Sequence, residues 1–308
     1  MSALPSLREE WEALWERCPW ATPFQSPAWL IPWWRTFHPG RLRILEHREC
    51  GRLAGLAPLY EDEAGVVRLL GAGNTDYLDV LAEPNVGVGW VFQECGDAEF
   101  QDLPEDSPLV SAAPADASIT VTEPCPVLEV PESVEEWHER LPHGIKRNLR
   151  RYRDKLGDIR FETSSNPSLI EELFRLHGAR WQLRGQGGVL ADDALRRFHR
   201  EAAENFARNG WLRFWTVSAG GRLAAVIYAF VCRRRAYFYI GGFDPELARF
   251  GPGTLAIGYG VESAIREGVR EIHFLRGAEA YKYAWGARDR HNFRIVIDRA
   301  ARHLSPRT

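Results

Sequence analysis

Gly51-Arg52-Leu53-Ala54 recurs 170 residues later as Gly221-Arg222-Leu223-Ala224. Nine residues before each copy stands Leu-Arg followed by two large apolar residues, Leu42-Arg43-Ile44-Leu45 and Leu212-Arg213-Phe214-Trp215. Twenty residues after each first glycine lies another, Gly71 and Gly241, preceded by Leu70 and Ile240. Farther upstream, Pro5-Ser6-Leu7-Arg8-Glu9-Glu10 is answered by Pro167-Ser168-Leu169-Ile170-Glu171-Glu172, at an offset of 162. Four matches in one order point to a duplicated module. The duplication predicts a first module over 1–118 and a second over 119–308.

Each copy reads the same way. A Glu-rich amphipathic helix (7–17, 169–181) and a second helix (27–38, 192–208) precede two apolar runs joined by a tight turn (41–49 to 52–60, 211–218 to 222–232). Glycine at the turn tolerates positive φ and suits a hairpin. A third strand is expected to end at the shared glycine, over 66–71 and 235–241. Two helices followed by an antiparallel meander define an α+β fold. The second copy continues through a helix over 254–267, a strand Glu271–Leu275, a segment Glu279–Trp285 and a strand over 291–298. The first has only Gly87–Cys95 where that helix belongs, so it is expected to be degenerate and non-catalytic. Residues 97–136, with eleven carboxylates, six prolines and neither Lys nor Arg, are expected to form a linker or surface excursion, with a strand at Val127–Val130 as the alternative.

The 308 residues, 45% hydrophobic and 26% charged, exclude disordered and fibrous classes. No apolar run reaches the roughly 18–20 residues of a membrane span, and the acidic N-terminus lacks a signal-peptide core. A cytoplasmic protein is expected. Five scattered cysteines without a C-x-x-C pair suggest free thiols, with neither disulfides nor a metal site. A net charge of −3 gives no global attraction to DNA or other nucleic acid.

Three segments carry candidate chemistry. Arg249-Phe250-Gly251-Pro252-Gly253-Thr254 follows a strand and opens a helix, where bare N–H groups and Arg249 suit a phosphate; a Gly-Pro turn with Thr254 as N-cap is the alternative. Glu279-Ala280-Tyr281-Lys282-Tyr283 gathers a carboxylate, two phenols and an ammonium at a strand end. The chain has 36 arginines and three lysines, so retention of lysine at 282 points to a need for a compact ammonium; aromatic core with a snorkelling lysine is the alternative. Gly144–Leu156 carries Ile145, Leu149, Tyr152 and Leu156 on one helical face and basic residues on the other. That face suits RNA, a membrane surface or an acidic protein, or else faces solvent and the preceding acidic segment. Dispersed histidines and the absence of G-x-S-x-G or H-E-x-x-H give no hydrolase or metal signature.

On these residues the chain resembles the GNAT acyltransferase superfamily, and within it the CelD-like branch associated with cellulose and exopolysaccharide biosynthesis. The resemblance is carried by Pro23-Phe24-Gln25-Ser26-Pro27 with Trp33-Trp34, Gly51–Tyr60, Asp76-Tyr77-Leu78-Asp79, Ile145–Arg151, Arg180-Trp181, Gly241-Gly242-Phe243-Asp244-Pro245, Pro252-Gly253-Thr254, and Phe274-Leu275-Arg276-Gly277 with Tyr281-Lys282. The tandem arrangement is also similar to Fem-type peptidyltransferases, which move an amino acid from aminoacyl-tRNA to a peptidoglycan precursor. The resemblance implies tandem GNAT-like modules, each a mostly antiparallel twisted sheet flanked by helices. It implies acetyl-CoA or another acyl-CoA as donor, its pyrophosphate on Gly251, Gly253 and Thr254 near Arg249, and no metal. The implied acceptor is an amine on an amino sugar, other small molecule or polysaccharide or cell-envelope precursor, with Arg180 and Trp181 at the acceptor cleft. Tyr281 or Tyr283 is the implied acid, Lys282 the oxyanion or phosphate partner, and Glu279 or Asp244 the base. A tRNA donor, and a non-catalytic interaction module, are the alternatives; a tandem pair can complete its own pseudo-dimer, so a monomer is possible, and oligomeric state stays open at this point. Two departures stand out. The phosphate loop reads Arg-x-Gly-x-Gly, one residue short of the superfamily spacing, and Pro252 removes an N–H; His273 stands where the branch carries an acid.

Overall fold

The computed structural model describes residues 3–182 and 188–299. The chain divides into two compact units: residues up to Pro124 together with those from Arg290 on, and Cys125–Asp289. The division falls six residues after the boundary expected from the duplication. The final strand groups with the first unit, where the sequence pattern put it with the second. The reason is register: Ile295, Val296 and Ile297 pair antiparallel with Phe100, Glu99 and Ala98.

The first unit begins with α1 (Ala3–Arg17) and α2 (Pro27–Phe37), then β1 (Gly40–Glu49), β2 (Arg52–Asp62), β3 (Val67–Leu69) and β4 (Leu81–Ala82). After them come α3 (Trp90–Glu94), β5 (Ala98–Pro104), α4 (Pro108–Ser111) and the first part of β6 (Ser118–Glu129), which runs on into the second unit. The second unit holds α5 (Val134–Arg140), α6 (His143–Leu156), β7 (Ile159–Ser164), α7 (Ile170–Gln182), α8 (Asp193–Arg208), β8 (Leu212–Ala219), β9 (Arg222–Cys232) and β10 (Arg235–Phe243). It ends with α9 (Pro252–Arg266), β11 (Glu271–His273), α10 (Ala280–Ala284) and the first residues of β12 (Arg288–Ile297). Strand order is β1-β2-β3-β5-β12 in the first unit, with β4 beside β2, and β6-β11-β10-β9-β8-β7 in the second.

The repeat holds at the level of single residues. Both hairpins turn through two residues with positive φ, Cys50-Gly51 (49° and 82°) and Gly220-Gly221 (56° and 76°), the signature of a tight turn matching strand twist. Both carry a register shift at the same place, between His47 and Arg48 and between Val217 and Ser218. In each copy the third meander strand pairs parallel with a later strand across a crossover, β3 with β5 and β10 with β11. The crossover differs: five-residue α3 in the first copy, fifteen-residue α9 in the second. Each unit is a mostly antiparallel sheet flanked by helices, the α+β architecture that the duplicated meander predicts.

Three expectations change. Residues 97–136 are not a linker, because β5, α4, β6 and α5 cover most of them. Ala98, Phe100 and Leu103 are buried, and Glu99 pairs with both Arg68 and Arg294, so local acid excess is neutralised by distant arginines. The third strand of the second copy runs past Gly241 to Phe243, whereas Gly71 sits at φ 97° in a turn. β11 stops at His273, because Leu275 takes φ 61° and turns the chain away.

The second unit's core lies between the sheet and α9, where Trp215, Ile227, Phe238, Leu255, Val261 and Ile272 pack together. On α6, Ile145 is buried and Leu149, Tyr152 and Leu156 pack against that core, so the apolar stripe docks the helix. The first unit packs Leu59, Leu69, Val80, Phe92, Phe100, Leu109 and Ile295.

Asp79 is buried there, its carboxylate accepting the Val80 N–H. Burial, partly offset by the Ser107 hydroxyl and the Val80 amide, pushes its carboxyl up to about 8. An unfolded aspartate titrates near 4, so the native state holds the proton more tightly and stability is full below pH ~4 and declines as pH rises towards 8. In urea melts between pH 5 and 8.5, Asp79→Asn is expected to lose less stability with rising pH than the wild-type chain; parallel curves would contradict this.

Candidate functional site

β10 pairs with β11 only through Arg235, Ala236 and Tyr237. Beyond them β10 continues to Phe243 while the other chain turns off, so the two parallel strands splay and, among the described residues, no strand pairs with that edge of β10 from Phe238 to Phe243. On the opposite edge, the register with β9 shifts between Phe238 and Ile240, leaving Tyr239 as a bulge. Bulges of this kind re-aim the backbone at the mouth of a site.

The open edge leads into the turn Pro245–Phe250 and then into α9. Gly251 caps α9 in the left-handed region (φ 60°, ψ 41°) and Pro252 takes the first helical position. Thr254 therefore stands at the third helical position and is not the N-cap. Pro252 has no N–H, so Gly253 and Thr254 present the first amides without an intrahelical acceptor. The Arg249 guanidinium lies 4.6 Å over the Phe250 ring. A Cβ at Gly251 would fall 2.3 Å from Cε2 of Tyr152, on α6. This contact joins two of the segments singled out in the sequence, the basic helix and the phosphate loop. It brings in Arg151, whose guanidinium donates to the Tyr152 hydroxyl (3.1 Å) and lies 4.9 Å from its ring centroid. Arg151 and Tyr152 were legible only as members of a basic amphipathic helix; nothing in the local sequence pairs them with Gly251.

The second half of the site is built on Lys282. Its ammonium is buried at 2% exposure and donates to the carbonyls of Leu275 (2.9 Å), Arg276 (2.6 Å) and Gly277 (3.0 Å), while Glu279 Oε2 lies 2.9 Å away. Three donors meet three carbonyls. A compact ammonium is needed here, but its role is to close the turn after β11, and it offers no free proton to an oxyanion. Glu279, exposed beside it, is held by that ammonium. Tyr281 is 48% exposed, its ring edge-on to Phe274 (6.3 Å). Tyr283 donates to Asp289 Oδ1 (2.7 Å), and this carboxylate pushes the phenol above its usual range.

Asp244 has a structural place. Its Oδ1 accepts the Glu246 N–H at 3.0 Å, capping the turn, and its Oδ2 is 2.5 Å from Arg222 Nη2. The first copy repeats the arrangement. Arg52, 170 residues before Arg222, pairs with Glu83 (2.8 Å), and the carbonyls of Ala54 and Ala224 accept from Glu83 and Asp244 respectively. A clip present in both modules belongs to the scaffold. Arg180 and Trp181 end α7, and their side chains lie outside the described residues. His273 is buried, stacked on Tyr237 at 4.8 Å. No helix among the described residues is long and apolar enough to cross a membrane, and no group of three or more His, Cys, Asp or Glu among them is disposed to hold a metal.

Residues 140–283, all within the second unit, match the family model described as an acetyltransferase (GNAT) domain. No curated protein matches the chain by sequence. Among solved structures, FemX superposes with a TM-score of 0.66 at 10% identity, over 96% of this chain and 98% of that one. A conserved protein of unknown function from Bacteroides thetaiotaomicron gives 0.67 at 13% identity, over 95% and 97%. The C-terminal domain of a putative lysylphosphatidylglycerol synthetase from Agrobacterium fabrum gives 0.62 at 11% identity, over 98% and 94%. At these identities the likeness is one of fold.

Replacing Lys282 by Met leaves three carbonyls and Glu279 without their partner in a buried setting. Lys282→Met is expected to cost about 3–5 kcal/mol in urea unfolding, and Lys282→Arg to restore little of it, because a planar guanidinium does not fit the three-carbonyl cage. A loss under about 1 kcal/mol would mark the lysine as a surface group.

Proposed function

We propose that the chain is an N-acyltransferase, with its working site in the second unit, that takes an acyl group from an acyl-CoA and gives it to an amine. The observation that carries this reading is the junction of the open β10 edge with the α9 N-terminus. An extended donor laid along Phe238–Phe243 follows the strand edge that β11 leaves after Tyr237. Its phosphates then reach the Gly253 and Thr254 amides, with Arg249 and Arg151 alongside, and a helix N-terminus favours such charge.

In the reaction the amine nitrogen attacks the thioester carbonyl, the C–S bond breaks, the amine loses a proton and the departing thiolate gains one. Tyr281 suits the acid, being the exposed phenol of the turn. Tyr283 is committed to Asp289. Glu279, fixed by Lys282, suits a base acting through water. Lys282 is a positioning residue, and Asp244 joins it in the scaffold. The backbone amides of β10 at the Tyr239 bulge are the donors best placed for the developing oxyanion.

One observation favours a second donor class, aminoacyl-tRNA. α6 carries six cationic side chains and one carboxylate, and it reaches the phosphate loop through Tyr152. The resemblance to Fem-type proteins points the same way.

Thermal melts with a panel of acyl-CoAs and with tRNA separate the two. A ligand at 100-fold its Kd adds about 2.7 kcal/mol to the native state, enough to raise the melting temperature visibly. Acyl-CoA is expected to give that shift and Arg249→Ala to reduce it; a shift with tRNA alone, steeply lowered by salt, would establish the second reading, and no shift with either would overturn both. On a responsive donor, Tyr281→Phe is expected to lower kcat by roughly 10²-fold or more without changing the melting temperature.

A further inference from the structure

A cavity of about 740 Å³ lies between α6 and the outer face of α9. Arg249–Thr254 and Tyr281–Tyr283 are not among its lining residues. Its volume falls within the roughly 300–1,000 Å³ of small-molecule sites. One wall is apolar, formed by Leu149 of α6, Leu255 and Tyr259 of α9, and Phe161 of β7. Phe161 and Tyr259 stack at 5.1 Å with 29° between their planes, and the Tyr259 hydroxyl is held by Thr163 at 3.0 Å, so the aromatic wall is fixed in place.

The rim is basic. Lys146, Arg150, Arg153 and Arg266 line the cavity with Glu139, Asp154 and Glu262. Of these acids only Glu262 has an ion-pair partner among the described residues. Glu262 is engaged by Arg266 (3.1 Å) and faces His138 (3.2 Å), and Lys146 donates to the Glu139 carbonyl (2.9 Å). Among the described residues Arg150 and Arg153 have no carboxylate partner; Arg153 lies 5.5 Å from the Phe161 ring centroid. Elsewhere in the chain arginines are commonly committed to carboxylates, as at Arg48, Arg68, Arg200 and Arg213. Two uncommitted guanidinium groups above a fixed aromatic and aliphatic wall form a site with two distinct ends.

We propose that this cleft binds a small amphipathic phosphate ester, its apolar group against Leu149, Phe161 and Tyr259 and its phosphate on Arg150 and Arg153. A guanidinium fork matches phosphate geometry and is weakly hydrated, so it accepts such a group at the edge of an apolar surface. Phosphate esters of this kind come from lipids, as lysophospholipids, or from nucleotides, and the two share the chemistry that the cleft reads.

Calorimetric titration of the full chain with 1-naphthyl phosphate tests the proposal, with 1-naphthol and inorganic phosphate as controls. The ester is expected to bind saturably and at least about tenfold more tightly than either control, because both ends of the cleft are used. Arg150→Gln with Arg153→Gln, both exposed on α6, is expected to lower that affinity roughly tenfold or more with an unchanged melting temperature. Arg249→Ala, in the donor loop, is expected to leave it unchanged. Equal binding of ester and controls overturns the proposal, as does a double variant that binds like the wild-type chain, or an equal loss in Arg249→Ala. Competition by dodecyl phosphate supports it and assigns a lipid source, competition by AMP supports it and assigns a nucleotide source, and competition by neither overturns it.

Discussion

Where β11 ends, the carbonyl groups of Leu275, Arg276 and Gly277 turn their oxygens towards one point, and the Lys282 ammonium occupies it. Converging carbonyl dipoles away from water require a donor for each. With it in place the chain can leave the sheet after three paired residues, so β10 and β11 splay and one edge of β10 opens. The same ammonium fixes Glu279 and sets the start of α10, which carries Tyr281 outwards. The shape of the site therefore depends on a residue that does not itself touch the reacting atoms in the proposed reaction.

The duplicated module separates scaffold from site. Both copies keep the positive-φ hairpin turn, the register shift just before it (at His47/Arg48 and at Val217/Ser218), and the arginine–carboxylate clip of Arg52 with Glu83 and of Arg222 with Asp244. These features fix the meander. The copies differ where an anion would bind: α9 has fifteen residues and an open N-terminus after a nine-residue strand, whereas α3 has five after the three-residue β3. A helix of a single turn aligns few peptide dipoles. At the corresponding place the first unit keeps the sheet but has only the five-residue α3.

Much of the second unit's candidate site was legible as separate pieces. The strand–glycine–helix order around Gly251 and the rarity of lysine singled out both halves, because each is a local signal of backbone freedom or of charge type. Their roles were less legible. Lys282 reads equally as chemistry or as packing until its three carbonyl partners are known, and Asp244 resembles a base until Arg222 is seen beside it. The linker expectation for 97–136 failed for a related reason. Local charge suggested exposure, but Glu99 is neutralised by Arg68 and Arg294, residues 31 and 195 positions away.

By itself the sequence determined the duplication, the α+β class, the meander and its turns, and the docking stripe of α6, because each follows from periodicity or from residues whose backbone preferences act within a few positions. Tertiary structure alone decided that the basic helix meets the phosphate loop through Tyr152 and Gly251, that the last strand joins the first unit, and that Lys282 serves the backbone. Those outcomes rest on contacts between residues about a hundred or more positions apart, or on the direction in which a side chain is aimed, and neither leaves a periodic trace in the chain.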